Sequence, residues 1–484
     1  MVLLGIGLAT VYLGGIVALS LGSFLWSIRP GKSRITTTGE GIETVDVADE
    51  VAVDVVTESP GLFSATGENL ADPALDVPEQ PTTTVVDTDP NVFFVSPQIG
   101  NNDFDGQTAD SPWQSLQTAL LRIQAGQTLY LMDGVYNEVT APDYAHYQID
   151  VSGTPDAWVT VAAAPGHTPE VVPNSGNAIE IKGSYVRFDG IHIRGETYSE
   201  ENSYGWGVII RDTHHVRVEN TQISDMPVGG ISSVESSNLE IYDNVVFGNS
   251  FWGTEQGSGI SIWHSKDHGQ PAFDDGYHDK IIGNTSYKNE NKVYSRFANS
   301  KIITDGNGII IDESLETGYT GKTLVANNTV FDNGGRGVIV NRARDVDIVF
   351  NTAYNNARTQ ELAGGKVEIA AVRSIDVRVM NNLGWSRPGS PALGIIEMNG
   401  IVVGGNVWVT DSPSGLETDQ DRVVASDPGL AAPSLDPALA DFRPLLGSVV
   451  VDSALDGGVR MPVDADGKPR PQGAADVGAF EFAP

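Results

Sequence analysis

The chain has 484 residues, no Cys, and 63 Asp or Glu against 29 Lys or Arg, a formal net charge of −34. That composition excludes a disulfide framework, a thiolate metal site and a thiol nucleophile. Nucleic acid is not an expected partner, because phosphate binding needs a basic stripe, and an acidic polysaccharide is repelled unless a cation bridges the two.

Residues 2–28 carry no charge, a run long enough to span a bilayer. Arg29, Lys32 and Arg34 follow it, whereas a secretory signal places its positive charges in front. The reading is a transmembrane anchor over 1–28 with the folded part extracytoplasmic. Cleavage near Ala18-Leu19-Ser20 would instead release a secreted protein. Residues 35–90 hold thirteen acids and no Lys or Arg. The stretch 29–90 therefore reads as a disordered acidic linker, extended by self-repulsion.

From Asn91 the pattern becomes compact. Val92–Val95 reads as a strand. Ser111-Pro112 offers a helix N-cap and first turn for Trp113–Ile123, and Gln127–Met132 reads as a second strand. A short helix before the first rung would cap the open end of a solenoid.

Six segments then repeat one pattern. They are Asn244-Val-Val-Phe-Gly-Asn249, Asn284-Thr-Ser-Tyr-Lys-Asn289, Asn328-Thr-Val-Phe-Asp-Asn333, Asn351-Thr-Ala-Tyr-Asn-Asn356, Asn382-Leu-Gly-Trp-Ser-Arg387 and Asn406-Val-Trp-Val-Thr-Asp411. The interval is 23 residues from 328 to 351 and 24 from 382 to 406, and inserted loops lengthen the others. Gly-led apolar runs alternate with these segments: Gly207-Val-Ile-Ile, Gly230-Ile-Ser-Ser-Val, Gly259-Ile-Ser-Ile-Trp, Gly308-Ile-Ile-Ile-Asp and Gly337-Val-Ile-Val-Asn. Short β-branched runs bounded by Gly and Asn read as strands. A rung of about 23 residues with about three short strands must coil and stack. The expected fold is all-β, a right-handed parallel β-helix over 91–424. The first Asn of each unit would mark one corner and pair up the coil. Phe247, Tyr287, Phe331 and Tyr354 would stack inside. The Pro- and Ala-rich stretch 425–484 would cap the other end.

Phe94-Val-Ser-Pro97, Gly106-Gln-Thr108, Ser111-Pro-Trp113, Gln127-Thr-Leu-Tyr130 and Asp133-Gly-Val-Tyr136 resemble the opening of pectate-lyase-like β-helix proteins, and Asp476-Val-Gly-Ala-Phe-Glu481 resembles their close. Thr304-Asp305-Gly306 is similar to one calcium-binding segment of polysaccharide-lyase family nine. On the following rung Asp332-Asn-Gly-Gly-Arg336 stands where that family carries an acidic pair, so the calcium motif is incomplete. The resemblance implies a polysaccharide-active enzyme with calcium held by acids and a Lys base. Here those would be Asp305, Asp312 and Asp332 for calcium, with Lys366 as base and Arg336 as second choice.

Alternation along the Gly-led strands turns Trp263 outward, and the same rule sets Arg211, Trp263, Asp312 and Asn341 in one outward column. Trp263 suits a sugar ring and Arg211 a uronate carboxylate. The insertion 264–280, beginning at His264, adds a wall for substrate contact. Three readings remain open. The first is a calcium-assisted lyase or C5-epimerase on an acidic polysaccharide, acting as a monomer. The second is an inverting hydrolase using Asp305 and Asp312. The third is a non-catalytic glycan-binding surface protein.

Overall fold

The computed structural model describes residues 17–21, 24–28, 89–138, 145–196, 198–296, 301–471 and 475–483. Three parallel sheets stack their strands rung upon rung. Sheet I has eleven strands, from Val92–Val95 to Asn399–Gly404. Sheet II has eleven short ones, from Val135–Tyr136 to Arg422–Val424. Sheet III has nine, from Ala145–Ile149 to Leu393–Ile396. One turn of the coil runs His214–Glu219, Gln222–Ser224 and Gly229–Val234, and Ser237–Tyr242 then pairs in parallel with the first strand. Every second side chain points inward, so Ile241, Val246, Ile260 and Ile262 share a single core.

Two buried Asn ladders hold the corners. Asn244, Asn284, Asn328, Asn351, Asn382 and Asn406 each donate from Nδ2 to Oδ1 of the next, at 2.9–3.0 Å, and Asn406 ends on Asp421. The sixth-place residues form a second ladder, Asn249, Asn289, Asn333 and Asn356, ending on Glu368 at 2.6 Å. This second ladder explains the Gly-led runs. A Cβ at Gly259 would lie 2.6 Å from Asn289 Nδ2, and one at Gly337 would lie 2.8 Å from Asn356 Nδ2. Where the ladder stops, the place before the strand is no longer Gly but Glu368, whose own carboxyl takes the last amide.

Burial pushes the Glu368 carboxyl up to about 8, against the hydrogen bonds from Asn356. Its folded value is therefore raised. Its contribution to stability is complete below about 4.5 and is lost as pH rises through about 8. Glu368→Gln keeps the acceptor oxygen and removes the charge. The stability gap between variant and parent should be small near pH 4.5 and widen to a few kcal/mol by pH 8, at about 1.4 kcal/mol per pH unit. Thermal unfolding of both proteins across that range checks this. A constant gap would contradict it.

Three expectations change. The helix is Leu116–Arg122 and its N-cap is Ser115, not Ser111. The aromatic stack lies outside sheet II: Phe247, Tyr287 and Phe331 stack at 4.9 Å between ring centres and pack against Phe442, while Val246, Val330 and Ala353 face the core. Residues after 425 run back along the outside of the coil rather than over its end, and Arg470 Nη2 donates to Asn327 Oδ1 at 3.1 Å.

Within the expected anchor 1–28, the described residues form an antiparallel hairpin, Val17–Leu21 with Phe24–Ile28. Among the described residues no helix is long and apolar enough to cross a membrane. The linker 29–90 lies outside the described residues except at its last two positions.

Candidate functional site

The outer face of sheet III carries the expected column. In register it reads Arg211, Val234, Trp263, Asp312, Asn341 and Val372, so Val234 separates Arg211 from Trp263. The four predicted residues are not equally open. Trp263 is 38% exposed, whereas Asp312 and Asn341 are 7% and 2%. Asn341 Nδ2 donates to Asp312 Oδ1 at 2.8 Å. Arg211 Nε pairs with Glu180 at 3.0 Å.

The residue after each of these strands turns the chain toward sheet I in the left-handed region. His264, Glu313 and Arg342 have φ of 52°, 57° and 50° and stack as neighbours. Their side chains form one network. His264 Nε2 lies 3.1 Å from Glu313 Oε2 and 3.4 Å from Glu316 Oε2. Trp263 Nε1 donates to Glu313 Oε2 at 3.0 Å, and the Trp263 and His264 rings stack at 4.1 Å. Arg342 pairs with Glu313 at 3.5 Å and also with Glu316. The one-turn helix Ser314–Thr317 brings Glu316 into reach.

This network separates two adjacent carboxyls. Burial, then the charges of Glu313 and Asp305, raises Asp312 well above the carboxylate range. Burial acts on Glu313 too, but hydrogen bonds from His264 and Trp263 and the Arg342 charge outweigh it and hold Glu313 below its ordinary value. His264 is raised by its bond to Glu313, against burial. The two adjacent carboxyls are therefore pushed in opposite directions, an arrangement suited to dividing acid and base roles.

The other margin of sheet III is built by insertions. Residues 301–305 and 357–366 pack together through Ile303, Ala357 and Leu362. Arg336 fastens them. It is 3% exposed, and its guanidinium donates to the carbonyls of Thr304 (3.2 Å), Ala363 (2.6 Å) and Gly365 (3.1 Å). Burial lowers it to about 10, so it remains a cation at neutral pH. Arg336 is thus a bracket, out of reach of a substrate proton, which corrects its second-choice place as base. Lys366 is half-buried on the bracketed loop and has no hydrogen bond or ion pair among the described residues. Its neighbour Val367 packs on Ile310, Ile339, Ala370 and Val372, which sets Lys366 at the edge of the face that carries Asp312 and Asn341.

The acids expected to share calcium do not gather. Asp305 lies before the strand Ile309–Asp312, is 4% exposed, and accepts from Thr304 Oγ1 (2.6 Å) and Asn307 Nδ2 (3.0 Å). Burial pushes it up to about 6. Asp312 closes that strand. Asp332 sits in the corner after sheet II, paired with Arg358 at 3.3 Å and Arg387 at 3.1 Å. Calcium needs about six to eight oxygens around one point, and these three acids do not supply them. Among the described residues His264, Glu313 and Glu316 do converge, with ligand atoms within 4.8 Å of one another. Arg342 already neutralises both glutamates there, and imidazole is a poor calcium ligand. Sequence reasoning missed Glu316 and Arg342. The period-2 register that aligned Asp312 with Asn341 would have placed Arg342 beside Glu313, had it been carried one residue further.

The profile of the Pel9A-like, right-handed beta helix region matches residues 93–368. Pectate lyase L of Thermoclostridium stercorarium is 24% identical over 377 residues, covering 68% of this chain, which spans only 29% of that relative. Among solved structures, pectate lyase Pel9A is 17% identical with a TM-score of 0.48, covering 81% of this chain and 96% of the other. A rhamnogalacturonan lyase is 16% identical with a TM-score of 0.44, covering 72% and 92%.

Proposed function

The chain belongs to the Pel9A-like right-handed β-helix family, and on that premise we propose that it is a polysaccharide-active protein that removes the C5 proton of a uronate in an acidic glycan, by β-elimination or C5 epimerisation. The observation that carries this reading is Trp263, an exposed ring that sits in register with Asp312 and donates to Glu313 at 3.0 Å. A sugar stacked on Trp263 would meet these two groups at once. The C5 proton becomes removable only when the adjacent carboxylate is relieved of charge. Asp312, whose carboxyl burial pushes toward its protonated form, would donate a hydrogen bond to that carboxylate from the oxygen that Asn341 does not occupy. Lys366, on the opposite margin of the face, is the side chain assigned to take the proton. In elimination the electron pair forms the C4–C5 double bond as the O4 glycosidic oxygen leaves. In epimerisation a proton returns on the other face. The uncharged run 2–28 supports tethering at a membrane, and cleavage there would give a secreted form.

A panel of pectate, alginate, glucuronan and neutral glycans tests the reading. Unsaturated, ultraviolet-absorbing ends or inverted uronates on an acidic glycan are expected. New reducing ends without unsaturation would mean hydrolysis. No change on any acidic glycan would leave binding alone. The same assay with chelator tests the cation. Loss of activity there would place a metal at a ligand set other than Asp305, Asp312 and Asp332.

A further inference from the structure

Resting on that reading, we infer that the acidic glycan is held by a basic, aromatic surface on the insertion beside sheet III, centred on Lys292, Tyr294 and Lys301. The distribution of charge points there. Across the whole chain acids outnumber bases 63 to 29, yet residues 288–296, 301–308, 332–337 and 355–368 hold seven Lys or Arg against five Asp or Glu. Two of those five, Asp305 and Glu368, are buried and pushed up to about 6 and about 8. Two more, Glu290 and Asp332, are each matched by cations: Glu290 by Arg358 at 2.9 Å and Lys292 at 3.8 Å, and Asp332 by Arg358 and Arg387. Of the seven cations Arg336 is itself buried and Arg296 pairs with Glu255 at 3.1 Å, so Lys288, Lys301 and Lys366 remain against the exposed Glu361 and leave the surface cationic on a strongly anionic protein. A polyanion repelled elsewhere is attracted there.

Its chemistry suits a polyuronate. Lys292 Nζ lies 4.3 Å over the Phe251 ring and is about half exposed, and Lys301 Nζ lies 5.8 Å from the Tyr294 ring centre. Tyr294 is 41% exposed. Ammonium groups beside the exposed Tyr294 ring match a chain whose rings alternate apolar faces with carboxylates. The Arg336 bracket joins this insertion to the loop of Lys366, so a glycan lying on it leads to the proposed base.

The test compares the full-length protein with Lys292→Glu/Lys301→Glu and with Tyr294→Ala. Circular dichroism and melting confirm folding, and affinity electrophoresis is run in gels containing polygalacturonate, alginate or a neutral glucan. The double variant should bind the polyuronates weaker by on the order of tenfold, as expected for losing little more than 1 kcal/mol. The difference should shrink in high salt. Tyr294→Ala should weaken binding in a manner less sensitive to salt, and the neutral glucan should not respond to either. If the parent binds and turns over a polyuronate while both variants bind equally well, this surface is not the site, though the proposed function survives. If the parent neither binds nor alters any polyuronate, the proposed function itself fails. Equal retention in a gel containing dextran sulfate, a polyanion without uronates, would overturn the assignment to uronates.

Discussion

Asn328→Ala should cost roughly 3–5 kcal/mol of stability, since each buried polar group stranded without a partner costs about 1–3 kcal/mol. Asn328 Nδ2 donates to Ile281 O (2.8 Å) and Asn351 Oδ1 (2.9 Å), and its Oδ1 accepts from Asn284 N (2.9 Å) and Nδ2 (3.0 Å). Alanine strands the Asn284 backbone amide in a site closed to water, because Asn328 and Asn284 are wholly buried, and it also removes one partner each from the Ile281 carbonyl and from the Asn284 and Asn351 side chains. The damage falls in the middle of the coil, where rungs on both sides rely on the ladder. The surface change Asn399→Ala serves as control and should stay within about 0.5 kcal/mol. Chemical denaturation of the two variants checks the difference. Equal midpoints would mean that the ladder is ornamental.

Lys366→Ala should lower turnover of the acidic glycan by at least about a hundredfold, the range of a positioned general base. It should leave the melting temperature almost unchanged. Lys366 is half-buried and makes no hydrogen bond or ion pair among the described residues, so little stability is lost with it. Arg336→Ala should behave in the opposite way. It would lose three donors to the carbonyls of Thr304, Ala363 and Gly365 and loosen both insertions, so stability and activity should fall together. A turnover loss in Lys366→Ala without a melting change separates base from scaffold. If both variants melt and turn over like the parent, neither residue matters to the chemistry.

The coil was legible because a ladder demands the same residue at the same place in every rung. The six leading Asn residues announced the corner, and alternation from Gly259 to Trp263 correctly turned Trp263 outward. The second ladder was equally visible in the closing Asn249, Asn289, Asn333 and Asn356, but a polar turn residue gives no sign that it is buried. The aromatic residues misled for the reverse reason. Phe331 looks like core, yet it packs under Phe442, a residue more than a hundred positions away, and no local pattern carries that contact. The site was legible only where it follows the period. Asp312 and Asn341 came out in register, whereas Arg336 was misjudged because its partners lie on insertions outside the repeat, and Asp332 because Arg358 and Arg387 come from the corners of other rungs.

The most direct measurement follows the C5 proton itself. Proton NMR of an acidic polyuronate incubated with the protein in deuterated water reports both elimination and epimerisation, because each removes C5–H. Proton abstraction predicts that the C5–H signal decays with the parent protein and persists with Lys366→Ala. Decay at the same rate in Lys366→Ala, or new reducing ends with every C5–H intact, would contradict it.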